Sequence, residues 1–390
     1  MKMVVREDYF DFSSKSEQFG CSGKPVVGFS PTSGIKGEMK YTNVCVEAFS
    51  HTLPEEVLTT AELETLLQPL YSRLKLPEGR LELLTGIRER RLWKRGRTPG
   101  EQSVETVRRL LERSEIDPKR IGALLHGSVC RDYLEPATAC GVHHALGLPS
   151  TCTVLDVSNA CLGILSGMVQ IANMIELGQI EAGIVVGTES SRSLLEATIR
   201  QLNTDHSIDR KSVKSAFASL TIGSGSAAVL LTSAAISRTG NRLLGGAVSA
   251  QTEHCALCRS ETDQSGGDAM NPLMQTDSET LMREGVRAAA ATFEPFLSEV
   301  GWTRTDIDRT FCHQVGRAHQ QLLFETLGLP MEINFSTLEY LGNTGSAALP
   351  MAASIGFESG FVHPGERVAL LGIGSGINVV MLGFMTTHRQ

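Results

Sequence analysis

The sequence predicts an α/β protein made of two similar halves, and three observations carry that expectation. From residue 39 onward, apolar runs of strand length alternate with segments whose apolar residues recur at helical spacing. The same alternation resumes after residues 235–245, which suggests an internal duplication without a strong residue-level repeat. A chain of 390 residues, 41% hydrophobic and 20% charged, can bury a core of that size.

Residues 1–38 are rich in Gly, Ser, Lys and Pro without periodicity and read as a poorly ordered N-terminal extension. A strand is expected at 41–46, then a Leu-Pro-Glu-Glu turn and a helix capped by Thr59 with Glu62 three positions on. Residues 103–114 read as a helix and 121–126 as a strand. Val154-Leu155-Asp156-Val157 is a compact strand and Ser158-Asn159-Ala160 a turn; Leu162, Leu165, Met168, Ile171 and Ile175 then recur at helical spacing. Cys161 therefore falls in the first turn of a buried helix. Strands at 182–187 and 226–231 complete the first half, 39–238. The second half, 239–390, begins with a helix at 278–296 and a strand ending at Cys312-His313. A helix through 320–327 and final strands within 372–382 follow.

A formal charge of -7 and a pI near 5.9 argue against nucleic acid or an anionic membrane as partner, since both are bound by clustered Lys and Arg. Nine cysteines without framework spacing read as reduced thiols. Glu7, Asp8 and Asp11 interrupt any signal peptide, so the expected location is the cytoplasm. The uncharged run 368–385 carries four glycines, Ser375 and Asn378, and reads as two strands about a turn rather than a membrane span. His254-Cys255-Ala-Leu-Cys258 is half a zinc site without a second ligand pair, and Gly372-x-Gly374-x-Gly376 lacks the spacing of a dinucleotide fingerprint. The His143-His144 pair reads as packing, and His319 is expected to face away from His313.

Three residues point to chemistry. The partial positive charge of a helix N-terminus favours thiolate over thiol, which makes Cys161 a candidate nucleophile. His313 stands just off a strand end and Asn343 in a glycine-flanked loop, the edges where active residues belong.

The order Ser-Asn-Ala-Cys161-Leu-Gly, His313-Gln-Val and Gly-Asn343-Thr-Gly-Ser-Ala-Ala resembles the thiolase-fold condensing enzymes, in particular the β-ketoacyl-ACP synthase III group. Thr-Gly-Ile-Arg-Glu-Arg at 85–90 and Gly-Ile-Gly-Ser-Gly at 372–376 add to the likeness, which covers 39–390. Arg-Asp-Tyr-Leu-Glu-Pro at 131–136 and His-Gln-Val-Gly-Arg-Ala-His at 313–319 are similar to the branch of long-chain olefin biosynthesis that joins two fatty acyl-CoA molecules head to head.

The resemblance implies a five-layer αβαβα thiolase fold, a homodimer and an acyl-cysteine intermediate on Cys161. It implies that His313 Nε2 and the Asn343 amide polarise the second acyl carbonyl, and that the backbone N–H groups of Cys161 and Ser375 form the oxyanion hole. Glu135 would remove the α-proton of the second acyl-CoA from across the dimer, giving a non-decarboxylative Claisen condensation to a 2-alkyl-3-oxoalkanoic acid. No metal or redox cofactor is implied, coenzyme A enters as part of the substrate, and association with downstream pathway enzymes is left open.

Two departures matter. The group's CoA-clamping Trp and Arg are replaced by Arg80 and Leu84, and its Gly-Asp-Gly-Ala-Gly becomes Gly223-Ser224-Gly225-Ser226-Ala227. The basic run 88–97, with Arg88, Arg90 and Arg91, is then a candidate for the CoA phosphates, a solvated face being the equal alternative. No cysteine follows Cys312 and Asn343 stands where the elongating synthases have a second histidine, which sets both cousins aside. Condensation with malonyl-ACP, an acyltransferase on the same scaffold and an inactive partner subunit stay open, the last opposed by the presence of Cys161, His313 and Asn343 together.

Overall fold

The computed structural model describes residues 39–387 apart from 211 and 261–273. The extension 1–38 and part of the polar stretch 251–277 lie outside the described residues.

Nine strands form one sheet: β1 (Val44–Thr52), β2 (Ile121–His126), β3 (Thr153–Asp156), β4 (Ala182–Glu189), β5 (Gly225–Ser233), β6 (Arg242–Ala250), β7 (Arg309–Cys312), β8 (Arg367–Gly374) and β9 (Asn378–Met385). Their order is β7-β8-β9-β6-β1-β5-β4-β2-β3, and its two ends mirror each other. In the first set β2 runs parallel to β3 and β4, while β5 is antiparallel to β4 and β1. In the second set β7 is parallel to β8, while β9 is antiparallel to β8 and β6. A parallel bridge from Thr310 to Asn334 takes the place that β3 fills in the first set. The sets meet where β1 pairs with β6 at Cys45 and Arg242.

The main helices are α1 (Pro99–Ser114), α2 (Thr138–Leu146), α3 (Gly163–Glu176), α4 (Ser278–Val300), α5 (Arg317–Leu327) and α6 (Ala348–Glu358). α3 and α6 share one core with residues of both strand sets, including Val185, Val229, Leu370 and Leu382. α1 and α2 pack on the outer face of the first set, α4 and α5 on that of the second. These are the five αβαβα layers that the resemblance implies. Sheet on both sides explains why α3 is apolar nearly all round. Its Leu165, Met168, Ile171 and Ile175 are fully buried, each contributing about 1.5–3 kcal/mol relative to exposure.

Some boundaries differ from expectation for local reasons. α1 starts four residues early because Thr98 and Glu101 form a capping box with Pro99 in the first turn. β1 runs on to Thr52, since Glu47 is buried in mid-strand and accepts from Thr232 Oγ1 at 3.0 Å and Ser237 Oγ at 2.6 Å. A buried carboxylate hides the apolar pattern. β6 was not anticipated: its Gly245-Gly246 pair weakens any strand signal, yet it pairs with β9 along its length. No described helix is long and apolar enough to cross a membrane.

Candidate active site

The nucleophile candidate is placed by a sharp strand-to-helix turn. Val157 N–H continues β3 by donating to His126 O at 2.8 Å, Ala160 takes a left-handed φ of 44°, and a short 3-10 turn (Ala160–Leu162) carries Cys161 into α3. A non-glycine residue there holds about 1 kcal/mol of strain, which the surroundings must overcome. Asn159 supplies one restraint, donating to Ser166 Oγ at 2.9 Å and accepting from Asn378 Nδ2 at 3.1 Å. Gly127 and Gly163 supply another: a Cβ on Gly127 would lie 2.5 Å from the Gly163 backbone, so only glycine lets the end of β2 meet the start of α3.

His313 follows β7, buried to 4% exposure, with its N–H donating to Leu371 O at 3.1 Å and its Nδ1 enclosed without a partner. The next residue matters as well. Gln314 Oε1 accepts from Thr337 N–H at 2.8 Å and so ties this corner to the segment leading to Asn343. Asn343 is held by its own N–H donating to Thr221 O at 2.9 Å and by its carbonyl accepting from Gly223 N–H at 2.8 Å. Its Oδ1 accepts from Gly345 N–H at 3.0 Å, which leaves Nδ2 as the donor it can offer to the cavity.

Cys161, His313, Asn343 and Ser375 line one cavity of about 1840 Å³. That is well beyond the roughly 300–1,000 Å³ of an ordinary small-molecule site. Leu194, Phe217, Ile222, Met282 and Ile377 give much of its wall an apolar character. No cluster of three or more His, Cys, Asp or Glu side chains among the described residues is arranged to hold a metal ion.

Burial pushes the Cys161 thiol up to about 12, with the Glu189 carboxylate and then Cys258 adding to it. The helix terminus therefore does not deliver the expected thiolate: desolvation and a neighbouring negative charge outweigh it, and the resting group is a thiol. Burial holds His313 down to about 3, with His319 contributing, and holds His319 down to about 4. Both rings are neutral at physiological pH.

His319 is a correction: it lies in the first turn of α5, 8% exposed, and lines the same cavity as His313. Its burial carries a prediction. An unfolded histidine titrates near 6.5, so between that value and about 4 the unfolded chain binds more protons. The stability gained by keeping His319 neutral is complete above pH 6.5 and is lost as pH falls towards 4. Melting curves from neutral to acid pH should show a slope shallower by roughly 2 °C per pH unit in His319→Gln than in wild type. Parallel slopes would contradict the burial of a neutral ring.

The arginine expectation also needs correction. Arg90 is 1% exposed, its guanidinium donating to Leu220 O and to Thr60 Oγ1 at 2.7 Å, so it braces the residue beside Thr221, whose carbonyl holds Asn343, instead of meeting a ligand. Arg91 donates to Pro54 O at 3.0 Å, and Arg88 pairs with Glu339 at 3.3 Å on the surface. None of the three lines the cavity, whose basic side chains are Arg97, Arg131 and Arg259. Arg97 is the last residue of the expected basic run and Arg131 opens the 131–136 motif, whereas Arg259 gave no signal because the wall is assembled from segments distant in the chain.

Glu135 is exposed and does not line the cavity of its own chain, although Cys130, Arg131, Asp132, Tyr133 and Leu134 do. Its loop is anchored by Ser128 Oγ donating to Thr188 O at 2.6 Å and by Asp132 Oδ1 accepting from Gly100 N–H at 2.8 Å. On the same loop Val129, Tyr133 and Leu134 are more than half exposed.

A doubled α/β fold with cysteine, histidine and asparagine on one large apolar cavity defines a thiolase-fold condensing enzyme, and comparison with known proteins agrees. Residues 95–239 match the family described as "Thiolase, N-terminal domain" and residues 297–382 that described as "3-Oxoacyl-[acyl-carrier-protein (ACP)] synthase III C terminal". The chain is 39% identical to an acyl-CoA:acyl-CoA alkyltransferase of Shewanella oneidensis, over 88% of this chain and 99% of that protein. It is 33% identical to the enzyme of that name from Xanthomonas campestris, over 88% and 98%. Relatives named β-ketoacyl-ACP synthase III stand further off, one from Koribacter versatilis at 26% identity. A structure of Xanthomonas campestris OleA bound to cerulenin superposes with a TM-score of 0.84 at 32% identity, covering 89% of this chain and 98% of that one. The chain belongs to the acyl-CoA:acyl-CoA alkyltransferase (OleA) family.

Proposed function

We propose that the protein joins two long-chain acyl-CoA thioesters head to head, without decarboxylation, to a 2-alkyl-3-oxoalkanoic acid, acting as a cytoplasmic homodimer in olefin biosynthesis. The observation that carries this reading is the single cavity, large enough for two alkyl chains, with Cys161, His313 and Asn343 on its wall. The half 39–238 supplies Cys161, and the half 239–390 supplies His313 and Asn343.

In the first stage Cys161 Sγ attacks the thioester carbonyl of one acyl-CoA. The backbone N–H groups of Cys161 and Ser375 receive the oxyanion, and the proton shed by the thiol leaves on the departing CoA sulfur, so thiol and thioester exchange. In the second stage Glu135 of the partner subunit takes an α-proton from a second acyl-CoA. The enolate oxygen is held by His313 and the Asn343 amide, and its carbon attacks the acyl-Cys161 carbonyl, expelling the Cys161 sulfur as thiolate; return of the α-proton from Glu135 to that sulfur restores both groups. Hydrolysis of the resulting 2-alkyl-3-oxoacyl-CoA frees CoA and the β-keto acid. Only protein groups, the substrates and one water molecule take part, and no metal or redox cofactor is called upon.

Two features support the dimer. β3 is the edge strand of the sheet, with Leu155 exposed on it, and an unpaired edge is a template for a second chain. The exposed apolar residues around Glu135 fit burial in a subunit interface better than contact with water. Substituted forms of the Xanthomonas enzyme, each changed at one glutamate or one cysteine, superpose on this chain. Those two residues are 26 positions apart, the separation of Glu135 from Cys161.

Asn343→Ala tests the second stage alone. It should leave the initial burst of CoA release intact and lower steady condensation about 100-fold, the usual loss for one oxyanion donor. Turnover within a few-fold of wild type would remove Asn343 from the reading.

A further inference from the structure

We propose that Glu189 is a positioning residue of this site: its carboxylate clasps the loop bearing Asn343 to the loop bearing Glu135, and its buried charge governs the reactivity of Cys161. The inference deepens the reading of Cys161 as nucleophile and rests on it.

Glu189 ends β4, is 4% exposed and lines the catalytic cavity. Its Oε1 accepts from Ser346 Oγ at 2.6 Å, Ser346 N–H at 3.2 Å and Val129 N–H at 3.1 Å, and its Oε2 accepts from Cys130 N–H at 3.3 Å. Ser346 lies three residues after Asn343, and Val129 and Cys130 begin the segment that runs on to Glu135. One side chain thus joins two loops that are distant in sequence. Gly345 is shaped to it, since a Cβ there would lie 3.0 Å from the carboxylate carbon, and φ is 55°. All four donors are neutral, so the bonds stabilise the carboxylate without cancelling its charge.

That charge acts on its surroundings. It adds to burial in raising the thiols of both Cys161 and Cys130. The other titratable and charged groups about the nucleophile are Cys258 and Arg259 on the strand Cys258–Ser260, Arg131 and Asp132 on the loop, His126 at the end of β2, and His313 and His319. Among the groups acting on the Cys161 thiol, Glu189 is the carboxylate, exceeded only by desolvation. The consequence is a nucleophile stored as thiol and sheltered from adventitious oxidation and alkylation, because the thiolate is the reactive form.

Two variants separate the clasp from the charge. Glu189→Gln keeps the three bonds to Oε1 and removes the charge, while Ser346→Ala removes the shortest bond and keeps the charge. The readout is the rate of Cys161 carboxamidomethylation by iodoacetamide at fixed pH values from about 7 to 9, below the titration of the thiol, resolved by peptide mass with Cys161→Ala as blank. Glu189→Gln should react about tenfold faster at each pH, because removing the charge raises the thiolate fraction. Ser346→Ala should react at the wild-type rate and lower kcat for condensation about tenfold through a loosened Asn343 loop, with KM little changed. An unchanged alkylation rate in Glu189→Gln, an equal acceleration in Ser346→Ala, or wild-type kcat in Ser346→Ala would overturn the proposal. Iodoacetamide reports on the thiol whether or not acyl-CoA reacts there, so an absent acyl adduct would sink the nucleophile reading and an unchanged alkylation rate only this one.

Discussion

Cys161→Ala is expected to abolish the acyl adduct that wild-type protein shows by intact mass after exposure to an acyl-CoA, and to lower condensation by about 10⁴-fold or more. The expectation rests on covalent catalysis: without the sulfur neither half-reaction has its intermediate, and losing a nucleophile that works with a base costs about as much as losing the whole constellation. The other described cysteines that line the cavity, Cys130 and Cys258, lie off the turn that carries Cys161 and should not substitute for it. An adduct surviving in Cys161→Ala would move the nucleophile to one of them. The fold should survive, because the change removes one sulfur atom from a cavity wall and leaves the Asn159 and Gly163 restraints in place.

Glu135→Gln carries the second largest effect. An unactivated acyl-CoA has a weakly acidic α-proton, so a positioned base is obligatory, and its loss should slow condensation about 10³-fold while acylation of Cys161 proceeds. Were the second substrate malonyl-ACP, loss of CO₂ would generate the carbanion and the variant would turn over nearly as wild type. Because Glu135 does not reach the cavity of its own chain, the two stages should separate across a dimer. A mixed dimer of one Cys161→Ala subunit and one Glu135→Gln subunit places a wild-type cysteine opposite a wild-type glutamate at one site, which should recover activity there. A base acting within its own chain would recover none.

What could be read from the sequence and what could not divides along the range of the interactions. The strand at 121–126 and the capping box of Thr59 with Glu62 are local, and both stand where their residues place them. Cys161 was legible for the same reason, since strand, turn and helix are contiguous around it. Arg90 was misread because a basic run looks like a ligand face until Leu220, distant in sequence, folds over one of its members and buries it. His319 was misread because the chain changes from strand to loop to helix between it and His313, so spacing along one element says nothing about their common side. Glu189 gave no signal at all, being a charged residue at the end of an otherwise buried strand whose partners come from two other loops. The thiolate expectation failed on magnitude: a helix terminus is a modest effect beside desolvation and a full negative charge.

The central claim is that one class of substrate serves both stages. Purified protein incubated with myristoyl-CoA alone, with the products analysed by mass spectrometry, tests it most directly. The expected product is a β-keto acid that carries both acyl chains, formed with release of CoA from each substrate molecule and without any malonyl thioester. Myristic acid as the sole product, or condensation only when malonyl-ACP is added and CO₂ is released, would contradict it.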